Sequence, residues 1–145
     1  MTSDEKVTAS KRVLIVDDEL DQRIYVAALF KTSGYAPIVT KNGKEGMQKT
    51  KELRPDLIIL DVMMPGEGGV QMYRQLKTDQ TLKAIPVIML SAVGQKTFSH
   101  YLNMVNVRLE KPIPRPEAYI EKPPEAEDLL QMAARLIGKR EKSDG

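Results

Sequence analysis

Acids, a hydroxyl and a lysine stand at the ends of apolar segments in this chain. Asp17 and Asp18 follow the first such segment, Asp61 follows a run of four apolar residues, and Ser91 and Lys122 close two later segments. Carboxylates held close together repel one another, and a hard divalent cation with oxygen ligands relieves that repulsion. The set therefore predicts a Mg²⁺ site between the acids. Ser91 and Lys122 could then neutralise a phosphoryl group that arrives at Asp61.

Five apolar segments could carry these residues as strands. The segment before Asp61, residues 57–60, has no polar alternation, which is typical of a strand buried on both faces in a parallel sheet. The other predicted strands cover residues 12–16, 36–40, 85–90 and 118–120. Open α/β sheets bind ligands beyond the carboxyl ends of their strands. Asp61, followed by a turn rich in Pro and Gly, stands at such an end.

Helical spacing of apolar residues recurs between the predicted strands. Leu20, Ile24, Ala27 and Ala28 mark the first helix, which we expect to stop at Gly34. The later helices are marked by Met47, Thr50 and Leu53, by Val70, Tyr73 and Leu76, by Phe98, Tyr101, Leu102 and Val105, and by Leu129, Leu130, Ala133, Leu136 and Ile137. The last helix is expected to stop at residues 138–140. Alternating strands and helices predict an α/β fold with a parallel sheet between two helical layers.

Composition excludes several classes of protein. With 145 residues the chain fits one domain, here assigned to residues 11–140, with polar tails at 1–10 and 141–145. It has no Cys, hence no disulfide or thiolate metal site, which suits a cytoplasmic protein. A net charge of +2 gives no reason to expect nucleic acid or membrane binding. Residues 1–10 lack the apolar stretch of a secretory signal.

Each candidate residue also has a purely structural interpretation. Asp17 and Asp18 could cap a helix, Asp61 could be a turn residue, and Ser91 could cap the helix that follows it. Tyr119 could be a core residue. One packing accident does not explain polar groups at four strand ends, so the joint pattern favours a functional site.

The motifs at these strand ends resemble a known family. Residues 13–19, residues 60–65 with Gly69, residues 89–92 and residues 119–123 are similar, in this order, to the motifs of response-regulator receiver domains. The resemblance covers about residues 11 to 139. It implies a doubly wound, flavodoxin-like (βα)5 fold with strand order 2-1-3-4-5.

The resemblance also implies roles for the acids. Asp61 would be the phosphoacceptor, which takes a phosphoryl group from a histidine kinase or a phosphotransfer protein. Asp17 and Asp18 would hold Mg²⁺, together with Asp61 and the backbone carbonyl of Met63. Met63 and Val93 are apolar at places where a polar side chain could orient a hydrolytic water, so we expect a slowly hydrolysing aspartyl phosphate.

Three further residues receive roles by the same resemblance. Ser91 would bind the phosphoryl oxygens, Tyr119 would be a switch residue, and Lys122 would pair with the phosphoryl group. Lys111 also precedes a proline, but Lys122 is preferred because an apolar strand precedes it. The segment between Ser91 and Lys122 is longer than the resemblance implies. Residues 106–117 are therefore expected to form an added loop that reshapes partner or dimer contacts.

Three functions are compatible with these residues. The first is a signalling module that is controlled by phosphorylation and acts through a downstream protein. It catalyses no reaction except its own phosphorylation, and it is compatible with a homodimer. The second is a phosphohydrolase with an aspartate nucleophile, although that class needs a second Asp where Met63 stands. The third is a scaffold that binds a partner without phosphorylation. The chain could also be a fragment of a larger regulator.

Overall fold

The computed structural model of the chain describes residues 10–62 and 68–144, where five strands alternate with five helices. The strands are β1 (Arg12–Val16), β2 (Ala36–Thr40), β3 (Leu57–Leu60), β4 (Val87–Ser91) and β5 (Ala118–Glu121). The helices are α1 (Leu20–Thr32), α2 (Gly43–Leu53), α3 (Gly69–Thr78), α4 (Gln95–Asn106) and α5 (Ala126–Asp144). Except for Ser10, the expected N-terminal tail lies outside the described residues. Within the described ranges, no helix is both long enough and apolar enough to span a membrane.

All strands of the sheet are parallel. Their order is β2-β1-β3-β4-β5, which confirms the predicted fold class. The carboxyl ends of β1, β3, β4 and β5 therefore meet at one edge of the sheet. This edge receives the acids, the serine and the lysine singled out above.

The buried strands send alternate side chains into two separate cores. Val13 and Ile15 of β1 pack with buried residues of α1 and α5. Leu14 and Val16 of the same strand pack with buried residues of α2, α3 and α4. Because successive side chains of a strand point to opposite faces, an apolar run without alternation is buried on both sides. The sheet is thus packed on both faces beneath the edge that carries the acids.

The buried face of α1 is not the one that the sequence marked. Leu20 and Ile24 are each 59% exposed, whereas Val26 and Phe30 are fully buried. Phe30 also packs edge-to-face on Tyr35, with ring centroids 5.3 Å apart. The helix carries two apolar stripes, and packing on the sheet decides which stripe is covered.

The last helix extends past its expected stop at Gly138. It runs to Asp144 and so includes residues 141–144, which the sequence analysis assigned to a polar tail. Two contacts support this end of the helix: an ion pair between Lys11 and Glu141, and a hydrogen bond from Arg140 to the carbonyl of Pro55. A helix tolerates one interior glycine at a cost of about 1 kcal/mol, which such contacts can offset.

The long connection between α4 and β5 is anchored to its neighbours. The Asn106 side chain donates to the carbonyl of Ile113 at 2.9 Å and accepts from its N–H at 2.7 Å. Ile113 itself is only 3% exposed. The hydroxyl of Tyr73 on α3 donates to the carbonyl of Pro114 at 2.6 Å. The loop predicted at residues 106–117 is therefore a packed segment that makes hydrogen bonds to both α3 and α4.

An ion pair between a buried lysine and a partly exposed glutamate fixes the end of this loop to the sheet. The ammonium of Lys77, whose side chain is 3% exposed, lies 3.0 Å from a carboxylate oxygen of Glu117. It also donates to the carbonyls of Lys83 and Ile85. The same carboxylate accepts the N–H of Val87 at 2.8 Å, beside the start of β5. Glu117 thus satisfies both a buried charge and a backbone donor of β4.

We expect Glu117→Gln to lower the free energy of unfolding by about 2 kcal/mol, because it leaves the buried Lys77 ammonium without a carboxylate. Glu110→Gln is the matched control, since Glu110 is an exposed acid of the same loop. Its effect should stay within about 0.5 kcal/mol. Urea titration of both variants measures the difference. Equal midpoints would mean that the pair contributes nothing to stability.

Candidate functional site

Asp17 and Asp61 extend their strands by one residue at the carboxyl edge of the sheet. The N–H of Asp17 donates to the carbonyl of Thr40 at 3.2 Å, and that of Asp61 donates to the carbonyl of Val16 at 3.0 Å. Both acids are buried, with 3% and 4% exposure. The sheet itself therefore places the two carboxylates side by side.

Lys122 brings a positive charge directly onto these acids. Its Nζ lies 3.0 Å from Oδ2 of Asp17 and 3.2 Å from Oδ2 of Asp61. A third carboxylate, that of Glu19, lies 2.9 Å from the same nitrogen. The N–H of Lys122 donates to the carbonyl of Ser91 at 2.8 Å, which continues the pairing of β5 with β4. Lys111, the alternative lysine, is exposed in the loop between α4 and β5.

An acidic group at this edge could hold a metal ion. One carboxylate oxygen from each of Asp17, Asp18 and Asp61 lies within 4.8 Å of the others. Asp18 is exposed, so the group is open to solvent on one side. All-oxygen donors with room for water suit a hard divalent cation. Met63, whose carbonyl was expected to join these ligands, lies outside the described residues.

Burial and charge act in opposite directions on the pKa values of this cluster. Burial raises the pKa of Asp17 above its usual range, although the N–H of Glu19 and the ammonium of Lys122 partly offset the effect. Burial alone would lower the pKa of Lys122. Hydrogen bonds to Glu19 and Asp17, with the charge of Asp61, raise it instead above its ordinary value. The lysine therefore stays charged at neutral pH.

Ser91 and Tyr119 both contact the loop between β4 and α4. The hydroxyl of the fully buried Ser91 accepts the N–H of Val93 at 3.1 Å. The hydroxyl of Tyr119 donates to the carbonyl of the same Val93 at 2.5 Å. The half-buried Tyr119 ring also lies 5.5 Å from that of Phe98 on α4. A change at Ser91 could thus reach the tyrosine through one shared residue.

Two acids of the site received no role from the sequence. Glu19 contacts Lys122. Its position directly after Asp18 was the feature of the sequence that could have identified it as a site residue. The carboxylate of Glu121 accepts the N–H of Gln95 at 3.0 Å and so caps α4, whose own cap residue, Gly94, has no side chain. The signal for Glu121 was weaker, because 26 residues separate the partners.

Comparison with known protein families gives matches over most of the chain. The sequence model of the response regulator receiver domain matches residues 13–134. The polar-differentiation response regulator DivK of Brucella anthropi is 36% identical over 114 residues, which is 78% of this chain and 85% of that protein. The phosphate regulon transcriptional regulatory protein PhoB of Pseudomonas aeruginosa is 38% identical over 86 residues, which is 59% of this chain and 38% of that protein. The match thus spans well under half of PhoB but most of DivK.

Solved structures show the same fold. The chemotaxis protein CheY4 of Vibrio cholerae superposes with a TM-score of 0.74 at 26% identity, covering 88% of this chain and 99% of that one. The receiver domain of a signal transduction histidine kinase from Syntrophus aciditrophicus gives a TM-score of 0.76 at 28% identity, covering 90% and 92%. Both similarities extend over nearly the whole described chain.

Proposed function

The chain belongs to the response regulator receiver domain family of two-component signalling, and from that premise we propose that Asp61 is its phosphoacceptor. The family match confirms the resemblance of the sequence motifs. One observation carries the proposal: the Lys122 ammonium lies 3.2 Å from Asp61, whose carboxylate also joins a group of acids able to hold a cation. A phosphoryl group on Asp61 would therefore meet positive charge at once.

The proposed reaction is phosphoryl transfer from a phosphohistidine. A carboxylate oxygen of Asp61 attacks phosphorus, a P–O bond forms, and the P–N bond to the donor histidine breaks. The histidine nitrogen keeps the electron pair of that bond. Lys122 neutralises charge on the phosphoryl oxygens, and the Ser91 hydroxyl donates a hydrogen bond to them.

Mg²⁺ is the metal that we propose for the acidic group. Asp17, Asp18 and Asp61 would hold it, with the Met63 carbonyl as a further ligand. When bound, it would add positive charge opposite the phosphoryl oxygens. Lys122 alone cannot balance the three aspartates and a phosphoryl dianion, so a divalent cation fits the charge of the site.

Phosphorylation is proposed to act as a switch through the loop between β4 and α4. Ser91 would turn its hydroxyl toward the phosphoryl group to donate to it, which would shift Val93, and Tyr119 would repack because it bonds the same residue. The two states need to differ by only a few kcal/mol for this bias to work. The side chain of Val93 offers no polar atom to orient a hydrolytic water, so we also propose a slow loss of the phosphoryl group.

Receiver domains interact with histidine kinases and downstream effectors, and they are generally signalling modules rather than enzymes. We propose a histidine kinase or phosphotransfer protein as the donor for this chain, in the cytoplasm, and a downstream protein as its target. The packed loop at residues 107–117 adds surface beside α4, and we propose that it shapes the contact with that target or with a second copy.

The test is incubation with Mg²⁺ and acetyl phosphate, followed by mass spectrometry. We expect one phosphoryl group, stable to acid and labile to base, that is absent from Asp61→Asn. Asp21→Asn is the matched control, because Asp21 is an exposed acid on α1. Persistence of the modification in Asp61→Asn would contradict the proposal. After removal of the donor, a half-life of seconds would contradict slow hydrolysis.

A further inference from the structure

Glu19 occupies an unusual position for its side chain. It is the N-cap residue of α1, yet its carboxylate makes no capping bond to the helix. The carboxylate extends instead to Lys122, with Oε1 2.9 Å from Nζ. The Glu19 side chain is 62% exposed, compared with 12% for that of Lys122. The lysine thus lies between two buried aspartates and one acid at the mouth of the site.

We propose that Glu19 is a positioning residue, which holds the Lys122 ammonium at the mouth of the site and competes with an incoming phosphoryl group for it. This inference rests on the proposed function of Asp61. It assigns to Glu19 the control of how readily an anionic phosphodonor engages the lysine.

The argument starts from the donors of the ammonium group. Lys122 has three N–H donors, and three carboxylates lie within 3.2 Å of its nitrogen: those of Asp17, Glu19 and Asp61. A phosphoryl oxygen can therefore gain a hydrogen bond from Lys122 only when one carboxylate loses its own. Release of an exposed carboxylate into water costs far less than release of a buried one. Glu19 is the exposed member, so it is the partner that yields.

Charge adds to this competition. An exposed glutamate is anionic at neutral pH, and Glu19 is 62% exposed. An anion at the mouth repels an anionic donor, and salt screens that repulsion. Glu19 is not part of the group of acids that could hold the metal. Its removal should therefore affect anion binding more than cation binding.

The experiment compares Glu19→Gln with Asp21→Asn, which removes an equal charge from α1. Trifluoroberyllate serves as the phosphoryl probe in the presence of Mg²⁺. We expect Glu19→Gln to bind the probe about threefold more tightly than the wild-type chain, because an exposed competing ion pair has been removed. Asp21→Asn should bind as the wild type does. Mg²⁺ alone should bind no more tightly to Glu19→Gln than to the wild-type chain. This measurement distinguishes tighter binding of the probe from a general gain in stability of the variant.

Kinetics provide a second measurement of the same effect. With acetyl phosphate, Glu19→Gln should lower KM while the maximal rate changes less, and the advantage should shrink as salt is raised. Unchanged or weaker probe binding by Glu19→Gln would overturn the inference. A wild-type chain that neither binds trifluoroberyllate nor accepts a phosphoryl group would instead overturn the proposed function, and the inference with it.

Discussion

Replacement of Lys122 by methionine is expected to slow phosphorylation from acetyl phosphate by about a hundredfold, because it removes the ammonium that lies 3.2 Å from the Asp61 carboxylate. Methionine keeps the length of the side chain and supplies no charge. The initial rate of phosphoryl incorporation, measured by mass spectrometry at saturating Mg²⁺, gives the result. Lys122→Arg should retain part of the rate, since charge is kept while the geometry of the donors changes.

Lys111→Met is the matched control for this prediction. It is the same substitution before the other proline, in the loop that lies away from Asp61. The control should phosphorylate at the wild-type rate. A normal rate in Lys122→Met would show that the ammonium takes no part in transfer. A loss in Lys111→Met instead would mean that the wrong lysine has been placed in the site.

The sheet was predictable because its signal is local. Residues 57–60 are apolar without alternation, and every one of them is buried in β3. The rule that parallel strands end at one edge then brings Asp17, Asp61 and Lys122 together without further information. The resemblance of the motifs to the receiver family then assigned expected roles to the same acids and lysine.

Helix faces were less predictable than strands. In α1, Leu20 and Ile24 follow helical spacing as well as Val26 and Phe30 do, and only contact with the sheet selects the second pair. In α4, Tyr101 shares the helical spacing of Phe98 and Leu102 but is 43% exposed, whereas those two residues are buried. Periodicity identifies a helix, whereas the rotation of the helix about its axis depends on tertiary packing.

Polar contacts between distant residues were beyond the sequence. Lys77 and Glu117 are 40 residues apart, and neither stands in a motif. The pair exists because the loop after α4 packs back over α3. Glu19 lay within a motif, but its role depends on Lys122, which approaches only when β5 takes its place at the edge of the sheet.

Gly69→Ala is expected to destabilise the fold by about 3 kcal/mol, because the new methyl group has no room. A Cβ at Gly69 would lie 1.9 Å from the backbone oxygen of Asp61 and 2.8 Å from the Cα of Val62. Both neighbours are backbone, so a rotamer change cannot relieve the clash. The start of α3 or the end of β3 with Asp61 must move, and phosphorylation at the proposed acceptor should slow along with the loss of stability. Thermal unfolding and the acetyl phosphate assay measure the two effects.

Gly138→Ala separates this clash from the general effect of replacing a helical glycine. Gly138 is inside α5, and apart from its chain neighbours and the backbone of its own helix no described atom lies within 4 Å of a Cβ placed there. The control should therefore raise stability by up to about 1 kcal/mol, through helix propensity alone. If Gly69→Ala lowers the stability and Gly138→Ala raises it, the destabilisation by Gly69→Ala is caused by the contact with Asp61. If both variants were stabilised, α3 would have to begin farther from Asp61 than the structure places it, and the close approach of Gly69 to Asp61 would be refuted.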